Sequence, residues 1–185
     1  STEAGRRGAG QAGERLIGFS AELGGKNAMV VTGDVDLDRA VDGAITGCFA
    51  NTGQLCISIE RLYVDQAIFK PFTERLAARV SGLGLGATQA YGYAAGPLAP
   101  RHHLLKGRGH VADAVAKGAT VLAGGHARPE LGPYFHEPTV LTDVTPDMDL
   151  YRGETFGPVV AVYPYATVDE AVEQTNDTDY GLRSE

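Results

Sequence analysis

The sequence predicts an α/β protein whose open, mostly parallel sheet is flanked by helices, and three features of the 185-residue chain carry that prediction. Short unbroken apolar runs such as Ala28-Met29-Val30-Val31-Thr32 sit between polar turns, the pattern of strands buried on both faces of a parallel sheet. Stretches with apolar residues at i, i+3, i+4 and i+7 alternate with those runs. The resulting strand-helix-strand rhythm needs crossover connections, which set neighbouring strands parallel. With 43% hydrophobic residues and no internal repeat, linker or low-complexity block, the chain can bury one substantial core.

Taken in order, Ser1-Thr2-Glu3 opens a helix with a hydroxyl cap and an acid close behind. The glycine-rich stretch from Gly5 to Gly13 weakens that helix, so its order should depend on packing. After the strand at 28–32, Asp34 or Asp36 caps a helix whose buried stripe is Leu37, Ala40, Val41, Ala44, Ile45, Cys48 and Phe49. Arg61 to Asp65 reads as a second strand, and Ile68, Phe69, Phe72, Leu76 and Val80 mark a second amphipathic helix. Gly82, Gly84 and Gly86 follow a helix and open none, which makes them a loop rather than a nucleotide fingerprint. A weaker helix with Val111, Ala114 and Val115 stops at Lys117-Gly118. Strands at 120–123, 138–141 and 158–163 follow, and Thr167-Val168-Asp169-Glu170 is a capping box that starts the last helix.

Charge narrows the function classes. A net charge of −7 without a long basic run lacks the footprint that holds nucleic acid or an anionic membrane surface, so small-molecule chemistry is expected. No stretch approaches the roughly 18 apolar residues of a membrane span and the amino end does not read as a signal peptide, so a cytoplasmic protein is expected. His102, His103 and His110 have no metal-ligand spacing and are read as helix-surface residues, with no metal site expected.

The two cysteines have opposite settings and form no disulfide framework. Cys48 falls in the apolar stripe of its helix, where its role is packing. Beyond Phe49 the periodicity stops at Asn51-Thr52-Gly53-Gln54-Leu55-Cys56-Ile57-Ser58, a polar, glycine-bearing turn that presents Cys56 on the kind of segment where catalytic groups concentrate. Cys56 is the candidate nucleophile; a lone cysteine is otherwise as readily a small buried hydrophobe. A thiol is mostly protonated at neutral pH, so nucleophilic chemistry there needs a base or a lowered pKa.

Glu22-Leu23-Gly24-Gly25-Lys26-Asn27 lies 34 residues before Cys56 counted from Glu22, and Glu154-Thr155-Phe156-Gly157-Pro158 follows later. Together with the cysteine loop, these stretches resemble the active-site signatures of the aldehyde dehydrogenase superfamily. Glu14–Gly18 and Gly53–Tyr63 are most similar to the bacterial NADP-linked succinate-semialdehyde dehydrogenases. The resemblance implies oxidation of a small-molecule aldehyde through a covalent adduct on Cys56, with Glu22 activating water and the Cys56 backbone N–H as one oxyanion donor. It implies NADP or NAD as cofactor, NADP slightly favoured. Ser1, Thr2 and Gly5 would belong to a turn beneath the phosphates, Leu23 and Gly24 would line the pocket, Glu154 would accept from the nicotinamide-side ribose, and Phe156 would pack near the ring. A homo-oligomer is also implied for the parent enzyme.

Against that family, residues 1–23 would be the terminal part of the NAD(P)-binding domain and 24–185 a catalytic domain incomplete at its carboxy end. Both ends look cut, since the chain starts at Ser1 and stops at Arg183-Ser184-Glu185, just after a Tyr180-Gly181-Leu182 similar to an internal family motif. The isolated chain is therefore expected to bind NAD(P)+ weakly and not to oxidise aldehydes. Two positions depart from the pattern: Ala28 stands where a proline is frequent, and Ala50 where many semialdehyde dehydrogenases carry an arginine that holds the substrate carboxylate. Other readings of the same residues are a cofactor-independent thiol esterase and a non-catalytic protein of the same fold.

Overall fold

The computed structural model describes residues 2–87, 92–99 and 101–185. Ser1 lies outside the described residues. The chain runs α1 (Thr2–Glu14), β1 (Asn27–Val31), α2 (Leu37–Phe49), a 3-10 turn (Ala50–Gly53), β2 (Ile59–Asp65), α3 (Phe69–Ser81), α4 (Arg101–Ala116), β3 (Thr120–Ala123), β4 (Thr139–Thr142), α5 (Asp149–Arg152), β5 (Val159–Tyr165) and α6 (Val168–Asn176). The five strands form one sheet in the order β1-β2-β5-β4-β3. Three of the four pairings are parallel, with Met29 opposite Leu62, Leu62 opposite Val162 and Leu141 opposite Ala161. β3 alone runs antiparallel to β4. A parallel neighbour needs a long crossover, usually a helix. Between β3 and β4 the chain carries Gly124, Gly125, Pro129, Gly132 and Pro133, makes no helix, and folds back through an Ala127–His136 bridge.

Alternation along the strands divides the core between two faces of the sheet. Leu62, Val64, Val140, Val160 and Val162 pack on Val41, Ala44 and Cys48 of α2 and on Phe72, Leu76 and Val80 of α3. On the other face, Leu141, Val159 and Ala161 meet Val111 and Ala114 of α4 and Leu150 of α5, while Tyr63 and Tyr165 meet Ala171 of α6. Phe72 and Leu76 are completely buried, which stabilises the fold by roughly 1.5–3 kcal/mol for each side chain. Cys48 is 2% exposed, and burial pushes its thiol far above the ordinary cysteine range. Asp36, not Asp34, caps α2 by accepting from the Asp38 and Arg39 N–H groups. Thr167 caps α6 through the Glu170 N–H, and Glu170 Oε2 accepts from Ala166 N in return. α1 forms despite its glycines. Two of them, Gly5 and Gly8, leave room for Leu23 and Phe19 to lie against it, since a Cβ on Gly5 would stand 2.6 Å from Leu23 Cδ2 and one on Gly8 2.7 Å from Phe19 Cε2.

Among the described residues no helix is long and apolar enough to cross a membrane. The topology itself places the site. Residues 22–26 lead into β1, 51–58 into β2, and 154–158 into β5. These three strands are adjacent and parallel, so all three segments reach the same end of the sheet. It is the amino-terminal end, opposite to the carboxyl ends where open α/β sheets usually receive ligands.

Candidate active site

The cysteine loop begins where α2 stops. Ala50 ends the helix, and Asn51 and Thr52 then adopt left-handed backbone conformations, φ 51° and 59°. Such conformations cost of order 1–3 kcal/mol for residues with a side chain and persist only where the surroundings hold them. Here the hold is visible. Thr52 Oγ1 accepts from Gly96 N at 2.9 Å, and Gln54 Oε1 accepts from Ala99 N at 2.8 Å. Gly53 has φ 69° and lies so close to the turn before β5 that a Cβ there would stand 2.3 Å from Gly157 O. Only glycine satisfies both demands. The loop leaves Cys56 half-buried, with its backbone N–H taken by no acceptor among the described residues.

Asn27 fixes the loop from the other side. Its Nδ2 donates to Cys56 O at 2.7 Å and to Ser58 O at 2.9 Å, so the start of β1 holds the cysteine segment at two carbonyls. Glu154 Oε1 accepts from Gly25 N at 2.8 Å, and Gly24 lies beneath the same carboxylate, where a Cβ would be 2.4 Å from Oε1. Glu154 Oε2 has no protein donor among the described residues and remains able to accept from a ligand hydroxyl. Phe156 is half-buried with φ 55°, and the His103 ring packs on it at 4.9 Å between centroids.

A buried ion pair lies behind these segments. Lys26 Nζ meets Glu60 Oε2 at 2.7 Å, with the two residues 2% and 3% exposed. Glu60 Oε1 also accepts from Thr155 N at 2.9 Å and Phe156 N at 2.8 Å. Burial pulls the Lys26 amino group below the ordinary lysine value, and Glu60 opposes that pull. Arg61 Nε donates to Lys26 O at 2.9 Å, while its other nitrogens bond the α6 carbonyls of Gln174 and Thr175. His110 is buried, not on the helix surface as its sequence setting suggested. Its Nδ1 lies 3.0 Å from Thr155 Oγ1, and burial lowers its pKa to about 4.

The structure therefore brings Gly24, Cys56, Glu154 and Phe156 to one end of the sheet. Leu23, half exposed, lies against Gly5 on α1, and Thr2 opens that helix. Glu22 is exposed in the coil before β1, without a hydrogen bond or ion pair among the described residues. Among the described residues no group of three or more His, Cys, Asp or Glu side chains could hold a metal. Sequence reasoning passed over Asn27, Lys26 and Glu60. The available signal was Glu60, a charge inside the otherwise apolar strand Ile59–Val64 except for Arg61 beside it. Beside the loop, Thr46, Gly47, Ala50, Leu55, Ile57, Arg183 and Glu185 are among the residues lining a cavity of about 520 Å³.

Comparison with known proteins agrees with the sequence motifs. A Mycobacterium ulcerans protein provisionally named as an NADP+ succinate-semialdehyde dehydrogenase is 54% identical over 184 residues, covering 100% of this chain and 36% of the relative. A 3-sulfolactaldehyde dehydrogenase from Pseudomonas putida is 43% identical, with 100% and 38% covered. The crystal structure of a succinate-semialdehyde dehydrogenase from Burkholderia pseudomallei superposes with a TM-score of 0.94 at 41% identity, again over 100% of this chain and 38% of the other. The chain thus spans a little over a third of the length of these relatives. The model of the aldehyde dehydrogenase family matches residues 1–185, and the chain belongs to that family.

Proposed function

We propose that the whole protein oxidises an aldehyde to the carboxylic acid with NADP+ or NAD+, and that Cys56 is the nucleophile. The observation that carries this reading is the convergence of the three motifs: Asn27 on the Cys56 carbonyl, Glu154 on the Gly25 N–H, and Gly53 against Gly157. Cys56, half-buried, loses its thiol proton to water and attacks the carbonyl carbon as the thiolate, and the Cys56 backbone N–H donates to the developing oxyanion. A bound nicotinamide supplies the hydride acceptor. Glu22 accepts a proton from the water that hydrolyses the Cys56 thioester, and its exposure leaves it open to water.

The residues present fit the cofactor. Glu154 keeps one carboxylate oxygen for a ribose hydroxyl, and glycine at 24 keeps that carboxylate in place. Phe156 would pack near the nicotinamide ring, Leu23 and Gly24 would line the same pocket, and Ser1, Thr2 and Gly5 would serve the phosphates. Residues 1–23 then belong to the cofactor domain and 24–185 to the catalytic domain. NADP is favoured, as in the name of the Mycobacterium ulcerans relative. The cavity that Leu55 and Ile57 line on either side of Cys56 would take the aldehyde chain, and Ala50 in its lining sits where many semialdehyde dehydrogenases use arginine. Succinate semialdehyde is the first substrate to test, and 3-sulfolactaldehyde the second.

Reduced-cofactor absorbance with each aldehyde tests this directly, with Cys56→Ser and Cys48→Ser side by side in the whole protein. Cys56→Ser should abolish oxidation, whereas Cys48→Ser should keep most activity and lose about 1–2 kcal/mol of packing stability. Substantial turnover by Cys56→Ser would refute the assignment. Thiol esterase activity independent of added NAD(P)+, without oxidation, would favour the hydrolase reading instead.

A further inference from the structure

We infer that Glu60, charge-balanced by Lys26, is a positioning residue for the cofactor face of the site. This rests on the dehydrogenase reading above. One carboxylate, on β2 four residues after Cys56, takes the N–H groups of two consecutive residues, Thr155 and Phe156, and the ammonium of Lys26. Consecutive N–H groups turned to one side form a concavity that binds an anion, and the Thr155 and Phe156 N–H groups both point at Glu60. Glu60 supplies that anion internally. Because Glu154 immediately precedes Thr155 and is itself bonded to Gly25 N, the direction of its second oxygen depends on where the Thr155–Phe156 backbone is held.

Stability alone does not explain this arrangement. Two apolar side chains of similar size would serve a core as well as a buried ion pair, or better, since pairing only offsets the cost of removing both charges from water. Apolar groups could not accept from two main-chain N–H groups, nor link three separate chain segments through one group. Lys26 belongs to the Glu22–Asn27 stretch, Glu60 follows the cysteine loop, and Thr155 and Phe156 belong to the turn before β5. The pair therefore sets the distance between the thiol-bearing loop and the cofactor-facing turn. His110, bonded to Thr155 Oγ1, closes the same turn from α4.

The test uses the whole protein and the double variant Lys26→Met/Glu60→Met, which leaves no unpaired buried charge and no acceptor for the two N–H groups. Three quantities are read: backbone amide exchange at Thr155 and Phe156, the Kd for NADP+ by calorimetry, and the alkylation rate of Cys56. The expected result is at least tenfold faster exchange at both amides, a Kd raised about tenfold or more, and Cys56 alkylation within about twofold of the parent. An unchanged Kd overturns the inference, as does a parallel loss of Cys56 reactivity, the mark of general loosening. A parent protein that binds no dinucleotide defeats the dehydrogenase reading and this one with it. A parent that binds and a variant that binds equally defeats only this one. If the variant does not fold, exchange in the parent decides: Thr155 and Phe156 must exchange more slowly than Gly157, whose N–H has no acceptor among the described residues, and equal rates overturn the inference.

Discussion

Replacing Asn27 by leucine keeps the side-chain volume close and removes both donors that hold the cysteine loop. Asn27 is buried, and its Nδ2 is bonded at 2.7 and 2.9 Å to the carbonyls of Cys56 and Ser58. A buried acceptor left without a donor costs about 1–3 kcal/mol. The Ser58 carbonyl meets that condition fully, whereas the Cys56 carbonyl sits in a half-buried segment that water can reach, so its share falls to the lower end. The sum is roughly 2–4 kcal/mol. For a urea slope of about 1–3 kcal/mol/M, that corresponds to a midpoint lowered by about 1–2 M. The assay is urea unfolding of the parent and of Asn27→Leu, followed by alkylation of Cys56 under native conditions, where release of the loop should change the rate severalfold while Cys48 stays protected. A midpoint within about 0.3 M of the parent, with unchanged Cys56 reactivity, would show that these two bonds do not hold the loop.

Other expectations follow from the same geometry. In Glu22→Gln the first turnover should still release a burst of reduced cofactor before slow steady turnover, and loss of the burst in rapid-mixing absorbance would move Glu22 to the attack step. Gly24→Ala places a Cβ within 2.6 Å of three Glu154 carboxylate atoms, so the carboxylate must swing away from Gly25 N; dinucleotide Kd should rise about tenfold, and calorimetry showing no change refutes this. His110 titrates near 4 when folded against 6.5 ordinarily, so its contribution is complete above pH 6.5 and fades as the pH falls toward 4. That gap is worth up to roughly 3 kcal/mol, and His110→Gln should flatten the unfolding free energy across this window; an unchanged slope excludes His110 as its source.

The sequence by itself determined the layered α/β fold, because strand and helix periodicities are local properties of side-chain order. Every main element except α1 and α5 was legible that way: α1 is glycine-rich and shows only its cap, and α5 is a single turn too short to show a period. Cys48 and Cys56 were separable for the same reason, one inside the stripe of α2 and one beyond its end. The direction of β3 was not legible, since a glycine- and proline-rich connection permits a return in either sense until the sheet edge is occupied. His110 was misplaced because a weakly amphipathic helix does not announce which face is covered. Which acid holds which backbone was decided only by the tertiary structure. Lys26, Glu60 and Phe156 lie far apart along the chain, and the parallel order β1-β2-β5 brings their strand entrances to one end of the sheet, where burial makes one carboxylate the acceptor for all of them.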